Sequence, residues 1–194
     1  MKSLRFLENH WLGSLTARKP KKERFRFLKG FEEIRGNEFR LILQEKLPED
    51  RVRGWVPSYR YDIVSLMGTE LIGSIDVRIG DNENIFYAGH IGYRIHEPYR
   101  GRHYAEKACR LIIRVARAHN MKEVVITCNP DNLASKKTIQ NLGAVYVGLV
   151  EIPPRNELYH YGDRYKLRFI WQVPMMNEQE APPLGRHLPH PSSK

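Results

Sequence analysis

The chain has 194 residues, 41% of them hydrophobic, and a net charge of +10. That is the length of one domain with or without tails, and enough apolar sequence to argue against global disorder. No run approaches the roughly 18 apolar residues of a membrane helix, Met1 to His10 lacks the apolar stretch of a secretory signal, and two cysteines, Cys109 and Cys128, supply neither a disulfide framework nor a zinc site, which favours a reducing compartment, the cytoplasm.

Residues 1–35 carry ten basic and four acidic residues, the basic ones concentrated in Arg18 to Arg26 (RKPKKERFR). This basic extension reads as a solvated arm, with weak contact to nucleic acid or an acidic surface as its functional use. Leu4, Leu7, Trp11, Leu12 and Leu15 have the spacing of a short amphipathic helix, and Phe25, Phe27 and Phe31 either pack on the body or form a short strand.

The body is expected over residues 36–174. Phe39 to Gln44, Tyr61 to Leu66, Leu71 to Ile79 and Gly89 to Ile95 read as strands, close enough in sequence for antiparallel hairpins. In the third, Leu71, Gly73, Ile75, Val77 and Ile79 share one face. Pro48 to Pro57 reads as a connection and Asp81 to Asn84 as a turn. Arg102 to Asn120 then changes period: Ala105, Ala108, Cys109, Ile112, Val115 and Ala116 form one helix face, Lys107, Arg110, Arg114 and Arg117 the other. Val124 to Cys128 is a continuous apolar run, the mark of a strand covered on both faces. Asp131 or Asn132 caps a short helix that ends at Gly143. Ala144 to Glu151 and Arg164 to Gln172 are two more strands. The order, four strands, helix, strand, helix, two strands, is an α+β plan with a mixed sheet. Residues 177–194, rich in proline, read as a disordered tail.

Chemistry concentrates at Tyr99-Arg100-Gly101-Arg102-His103-Tyr104-Ala105, a small-residue turn between a strand and a long helix. Backbone N–H groups and the helix dipole there suit a phosphate or pyrophosphate, and Arg100 and Arg102 add formal charge. The turn is neither a Walker loop nor a dinucleotide fingerprint. About thirty residues on stands NPDNLASKKTIQNLGA, from Asn129 to Ala144.

Together these segments resemble the GNAT superfamily of acetyl-CoA-dependent N-acetyltransferases, over about Phe39 to Trp171. Arg100 to Ala105 matches the family's R/Q-x-x-G-x-G/A loop. Asn132-Leu133-Ala134-Ser135 and Leu142-Gly143-Ala144 match its N-x-x-A/S helix and the L-G-F that ends it. The resemblance implies a mainly antiparallel twisted sheet of about seven strands, with flanking helices and a central parallel pair that splays apart to take the pantetheine arm. Ile95 would pair with the pantetheine by backbone, Gly101, Arg102, His103, Tyr104 and Ala105 would hold the pyrophosphate, and Asn132 and Ser135 would face the thiol end. Histidine stands at position 103 where the family has glycine. The family's tyrosine, seven residues after the asparagine, is Ile139 here, as in the ribosomal-protein N-terminal acetyltransferase branch, which also lacks it. The connection after the first strand is shorter than the helical one usual in the family.

The implied reaction is direct attack of an amine on acetyl-CoA, with no metal. It needs a base on the central strands, for which His90 and then Asp76 are the candidates, and backbone donors for the oxyanion. The acid for the thiolate is left among Tyr146, Tyr159, Tyr161 and Tyr165. The alternative from another class is a catalytically silent fold that binds CoA or nucleic acid. The acceptor, a small-molecule amine or a protein amine, stays open, as does the oligomeric state.

Overall fold

The computed structural model describes residues 25–68 and 70–175. Among them, eight strands and four α-helices run in the order β1 (Glu33–Arg35), β2 (Phe39–Leu47), β3 (Ser58–Ser65), β4 (Leu71–Arg78), α1 (Glu83–Ala88), β5 (Ile91–Ile95), α2 (Tyr104–Ala118), β6 (Glu123–Cys128), α3 (Leu133–Asn141), β7 (Val145–Glu151), α4 (Glu157–His160) and β8 (Tyr165–Gln172). The amphipathic spacing over Leu4 to Leu15, most of the Arg18 to Arg26 run and the proline-rich tail lie outside the described residues.

Strands β1 to β5 form an antiparallel sheet in chain order, and β6, β8 and β7 a second antiparallel set in that spatial order. This is the α+β, mainly antiparallel architecture expected. Three parts differ from expectation. β1 lies inside the segment assigned to the basic extension: it pairs with β2, and Ile34 is buried. The chain ahead of it follows one of the two readings given for it: Phe25, Phe27 and Phe31 pack on the body. Tyr61 donates to the Phe31 carbonyl (2.9 Å), the Leu28 N–H donates to the Tyr59 hydroxyl (2.8 Å), and Phe27 packs its edge on the Tyr59 ring. In β4 the face expected to start at Leu71 starts one residue later. A register shift opposite Ile63 and Val64 turns Ile72 inward and leaves Leu71 45% exposed; a bulge breaks the two-residue alternation. And Asp81 to Asn84 leads into α1, which starts at Glu83, because the Asn82 side chain accepts from the Ile85 N–H and caps a helix.

Helix α2 meets expectation. Ala108, Cys109, Ile112, Val115 and Ala116 are buried in the core against Tyr59, Tyr61, Ile75 and Val77. On its outer face Lys107 bonds Glu38 (2.6 Å) and Arg110 bonds Glu106 (3.0 Å). Both cysteines are free and buried. Among the described residues no helix is long and apolar enough to cross a membrane.

The feature that positions the site is the junction of the two strand sets. The His90 N–H donates to the Val125 carbonyl (2.7 Å), and the Val125 N–H donates to His90 Nδ1 (2.8 Å). A Cβ on Gly89 would come within 2.9 Å of the same Val125 carbonyl, so only glycine lets β6 approach here. Beyond this joint β5 and β6 share no ladder, and the sheet is open between them. His90 is therefore a structural element of the joint. It is 2% exposed, its Nδ1 is occupied as an acceptor, and Nε2 lies 3.2 Å from Asp81 Oδ1 without the alignment of a hydrogen bond.

Burial pushes the His90 pKa below its ordinary value, against the opposing pull of Asp81, and burial does the same to His119. An unfolded chain then takes up protons that the folded chain refuses, so stability should fall as pH drops below about 6.5. Urea unfolding of His90→Leu should show a loss of about 1–3 kcal/mol from the stranded Val125 N–H and a shallower acid-side slope. A slope equal to the parent's would remove His90 from the account.

Candidate active site

Beside the end of β5 lies a cleft of about 560 Å³ between the N-termini of α2 and α3, lined by Tyr93, Ile95, Gly101, Tyr104, Asn132 and Ser135 among others. The first turn of a helix leaves its N–H groups without intrahelical acceptors, so α2 brings donors and the positive end of its dipole to this wall. The turn ahead of it is built for close approach: Gly101 has φ 77°, and a Cβ there would meet nothing within 4 Å. Arg100 Nε donates to the Ile95 carbonyl (3.2 Å), which sets the turn against the end of β5.

His103 takes the left-handed conformation (φ 58°, ψ 20°) as the residue before α2, with no side-chain cap. Position 103 does require positive φ, so histidine carries the steric cost that glycine would avoid. Its imidazole is largely exposed, with Nδ1 3.7 Å from Glu106 Oε2. The cleft has room for it: His103 lines the wall without closing it.

The α3 wall is organised by Asn132, whose Oδ1 accepts from the Ser135 N–H (3.0 Å). Ser135 Oγ shares a hydrogen bond with the Tyr93 hydroxyl (2.8 Å). Burial raises the Tyr93 pKa, so this hydroxyl stays protonated. The two walls are tied by Glu106, which accepts from Arg110 (3.0 Å) and Asn141 (3.1 Å), while Arg110 also donates to the Asn141 carbonyl (2.8 Å). Position 139 cannot supply a hydroxyl: Ile139 is fully buried. None of Tyr146, Tyr159, Tyr161 and Tyr165 lines this cleft; Tyr93, Tyr99, Tyr104, Ser135 and Thr138 do, and of these Tyr93 and Ser135 are bonded to each other. Tyr93 escaped sequence reading because it stands between apolar strand positions and looks like core. Burial raises the Cys109 and Cys128 thiols, which keeps both out of nucleophilic chemistry.

The opposite face of the sheet carries a second cavity, of about 250 Å³, walled by β3, β4, the 48–57 connection, α1 and α4. Its floor is Ser58, Arg60, Asp76 and Arg78, the positions alternating with the buried Tyr59, Tyr61, Ile75 and Val77. Asp76 pairs with Arg78 (2.8 Å) and is 26% exposed. Its carboxyl is raised above the usual range by burial, against the pull of Arg78 and Arg60. Gly92 sits opposite Asp76 in the ladder, and a Cβ there would lie 2.7 Å from Asp76 Oδ1. The carboxylate thus lies over β5, the strand that forms one lip of the opening. His90 lines neither cavity. The two sequence candidates for the base separate: Asp76 faces a cavity beside the opening, and His90 holds the opening's apex.

At the rim, Glu157 accepts from Trp55 Nε1 (3.3 Å) and from the Tyr161 hydroxyl (3.0 Å). The short Pro48 to Tyr59 connection does not wall this cavity alone. α1, capped by Asn82, and α4, capped by Asn156, complete it. The Asn82-to-Ile85 and Asn156-to-Leu158 cap spacings were the signals available in the sequence.

The family model for the acetyltransferase (GNAT) domain matches residues 22–145. Among solved structures, a Vibrio fischeri ribosomal-protein-S5-alanine acetyltransferase aligns at TM-score 0.54 and 16% identity, over 73% of this chain and 96% of its own. A Vibrio cholerae protein assigned as a ribosomal-protein-serine acetyltransferase aligns at TM-score 0.53 and 16% identity, over 72% and 97%. The microcin C7 self-immunity acetyltransferase MccE, solved with acetyl-CoA and AMP, aligns at TM-score 0.45 and 20% identity, over 60% and 61%. Among curated proteins there is no match.

In a Gly92→Ala variant the new methyl group should push the Asp76 carboxylate away from Arg78. The expected result is an upward shift of the Asp76 titration, followed by NMR, with the circular dichroism unaltered. An unchanged titration would mean that the carboxylate is not seated over Gly92.

Proposed function

Because this chain belongs to the acetyltransferase (GNAT) domain family, we propose that it moves the acetyl group of acetyl-CoA directly onto an amine, with the two cavities as the donor and acceptor sides of one opening. The observation that carries the reading is their placement. A helix N-terminus with an unencumbered Gly101 stands on one face, a carboxylate on the other, and the unpaired edge of β5 lies between them.

The N–H groups of Gly101 to Ala105, with Arg100, Arg102 and His103, hold the pyrophosphate. The open edge of β5 near Ile95 pairs with the amides of the pantetheine, which satisfies backbone groups that a continuous sheet would have paired. The acetyl group then lies in the opening, within reach of the outer cavity. Asp76 takes a proton from the bound ammonium, and the neutral amine then attacks; its raised carboxyl makes it a stronger base than an exposed aspartate. Backbone N–H groups on β5 receive the developing oxyanion. Ser135, held by Asn132 and bonded to Tyr93, donates a hydrogen bond that steadies the departing thiolate. Free, buried Cys109 and Cys128 fit a reducing compartment, and we place the protein in the cytoplasm.

Calorimetric titration with acetyl-CoA, CoA and ATP tests the donor side. Both CoA forms should bind at micromolar affinity, about −8 kcal/mol, and ATP far more weakly. An absence of saturable CoA binding would overturn the proposal. Asp76→Asn should keep the acetyl-CoA affinity and lose kcat by about 10²–10⁴-fold. A loss confined to KM would make Asp76 a binding group instead.

A further inference from the structure

The outer cavity differs from the cofactor cleft in size and in charge, and both differences bear on what enters it. At about 250 Å³ it falls below the roughly 300–1,000 Å³ of sites that enclose drug-sized ligands. Its walls are Leu47, Val56, Ile85 and Leu158, with Trp55 and Tyr161 at the mouth. Arg53 stacks its guanidinium on the Trp55 ring at 4.8 Å, and Glu157 fastens the other ends of both aromatics.

The lining contains two carboxylates, Asp76 and Glu157, and two guanidiniums, Arg60 and Arg78. Both acids are engaged. Asp76 Oδ2 meets Arg78 (2.8 Å), and the two Glu157 oxygens accept from Tyr161 and Trp55. Asp76 alone lies at the opening, against Gly92. One ammonium therefore has a partner at the floor. A second would meet apolar walls, arginines, the uncharged Ser58, the Asn84 and Asn156 amides, whose oxygens already accept hydrogen bonds, or an acid whose oxygens are already used.

We infer that the outer cavity selects a primary amine carried on a compact apolar body, as a free aryl- or alkylamine or as the apolar first residue of a peptide, and that it discriminates against polycationic amines. This rests on the acetyltransferase reading of the opening and assigns the acceptor class within it. The amine points to Asp76, the apolar body fills the space between Val56, Ile85 and Leu158, and Trp55 closes over it. No covalent step beyond acetyl transfer is required: the new C–N bond forms as the thioester C–S bond breaks, and of the two protons the ammonium loses, one goes to Asp76 before attack and the other ends on the departing CoA sulfur.

The test is release of the CoA thiol from acetyl-CoA by the full chain with three acceptors: 2-phenylethylamine, a leucine-initiated tetrapeptide amide and spermidine, with acetyl-CoA binding measured in parallel by calorimetry. One of the first two should exceed spermidine in kcat/KM by about 10–200-fold, the discrimination available from apolar burial against an unpaired charge. Turnover of phenylethylamine assigns a free amine as the source, and turnover of the peptide alone assigns an N-terminal residue. Preference for spermidine, or no turnover of any acceptor while acetyl-CoA binds, overturns the inference and leaves the donor side standing. A failure of acetyl-CoA to bind overturns the acetyltransferase reading itself. Trp55→Ala should raise KM for the preferred amine about tenfold and leave the acetyl-CoA affinity unchanged; an unaltered KM contradicts a closed apolar mouth.

Discussion

Two hydrogen bonds between His90 and Val125 hold the five-stranded and three-stranded sets together. One is an ordinary backbone bond. In the other an imidazole nitrogen accepts the N–H that a carbonyl would take in a continuous ladder. That exchange lets the two strands touch at one end and part at the other. The burial that keeps His90 neutral also keeps its lone pair available, so the joint is set by the same packing that builds the core. Gly89, where a Cβ would strike Val125, makes the approach sterically feasible.

From that apex the rest follows by geometry. A parted pair of strands leaves the outer edge of β5 without a ladder partner, apart from the Ile95 carbonyl, which accepts from Arg100 Nε. It also connects the two faces of the sheet. On the core face α2 and α3 converge, tied by Glu106, Arg110 and Asn141. On the other face Asp76 lies across Gly92. An anionic ligand is drawn to the first face by helix N–H groups, and a cationic one to the second by a carboxylate. In the proposed function, acetyl-CoA on the first face and an amine on the second meet at this opening.

Much of this was legible in the sequence wherever a local pattern carried the physics. The 3.6-residue period of Ala108, Cys109, Ile112, Val115 and Ala116 and the apolar run Val124 to Cys128 marked buried elements. Gly101 before a helix and Asn132 three residues before Ser135 marked turn and cap chemistry. What depended on long-range contact was not legible. His90 looked like a titrating base because its nearness to Val125 is a tertiary fact. Tyr93 looked like core because only the placement of α3 brings Ser135 to its hydroxyl. β1 was folded into the basic extension because three residues are too short for a periodic signal. α1 was read as a turn because a polar cluster looks the same before a helix as before a loop.

The most direct test of the account is hydrogen exchange of backbone amides with and without acetyl-CoA. If the opened strand pair receives the cofactor, protection should appear on the β5 edge from Ile91 to Ile95 and at Gly101 to Ala105, while the edge strand β7 stays unchanged. Protection confined to other segments, or none at the β5 edge, would contradict the claim that the gap beside His90 and Val125 is the acetyl-CoA site.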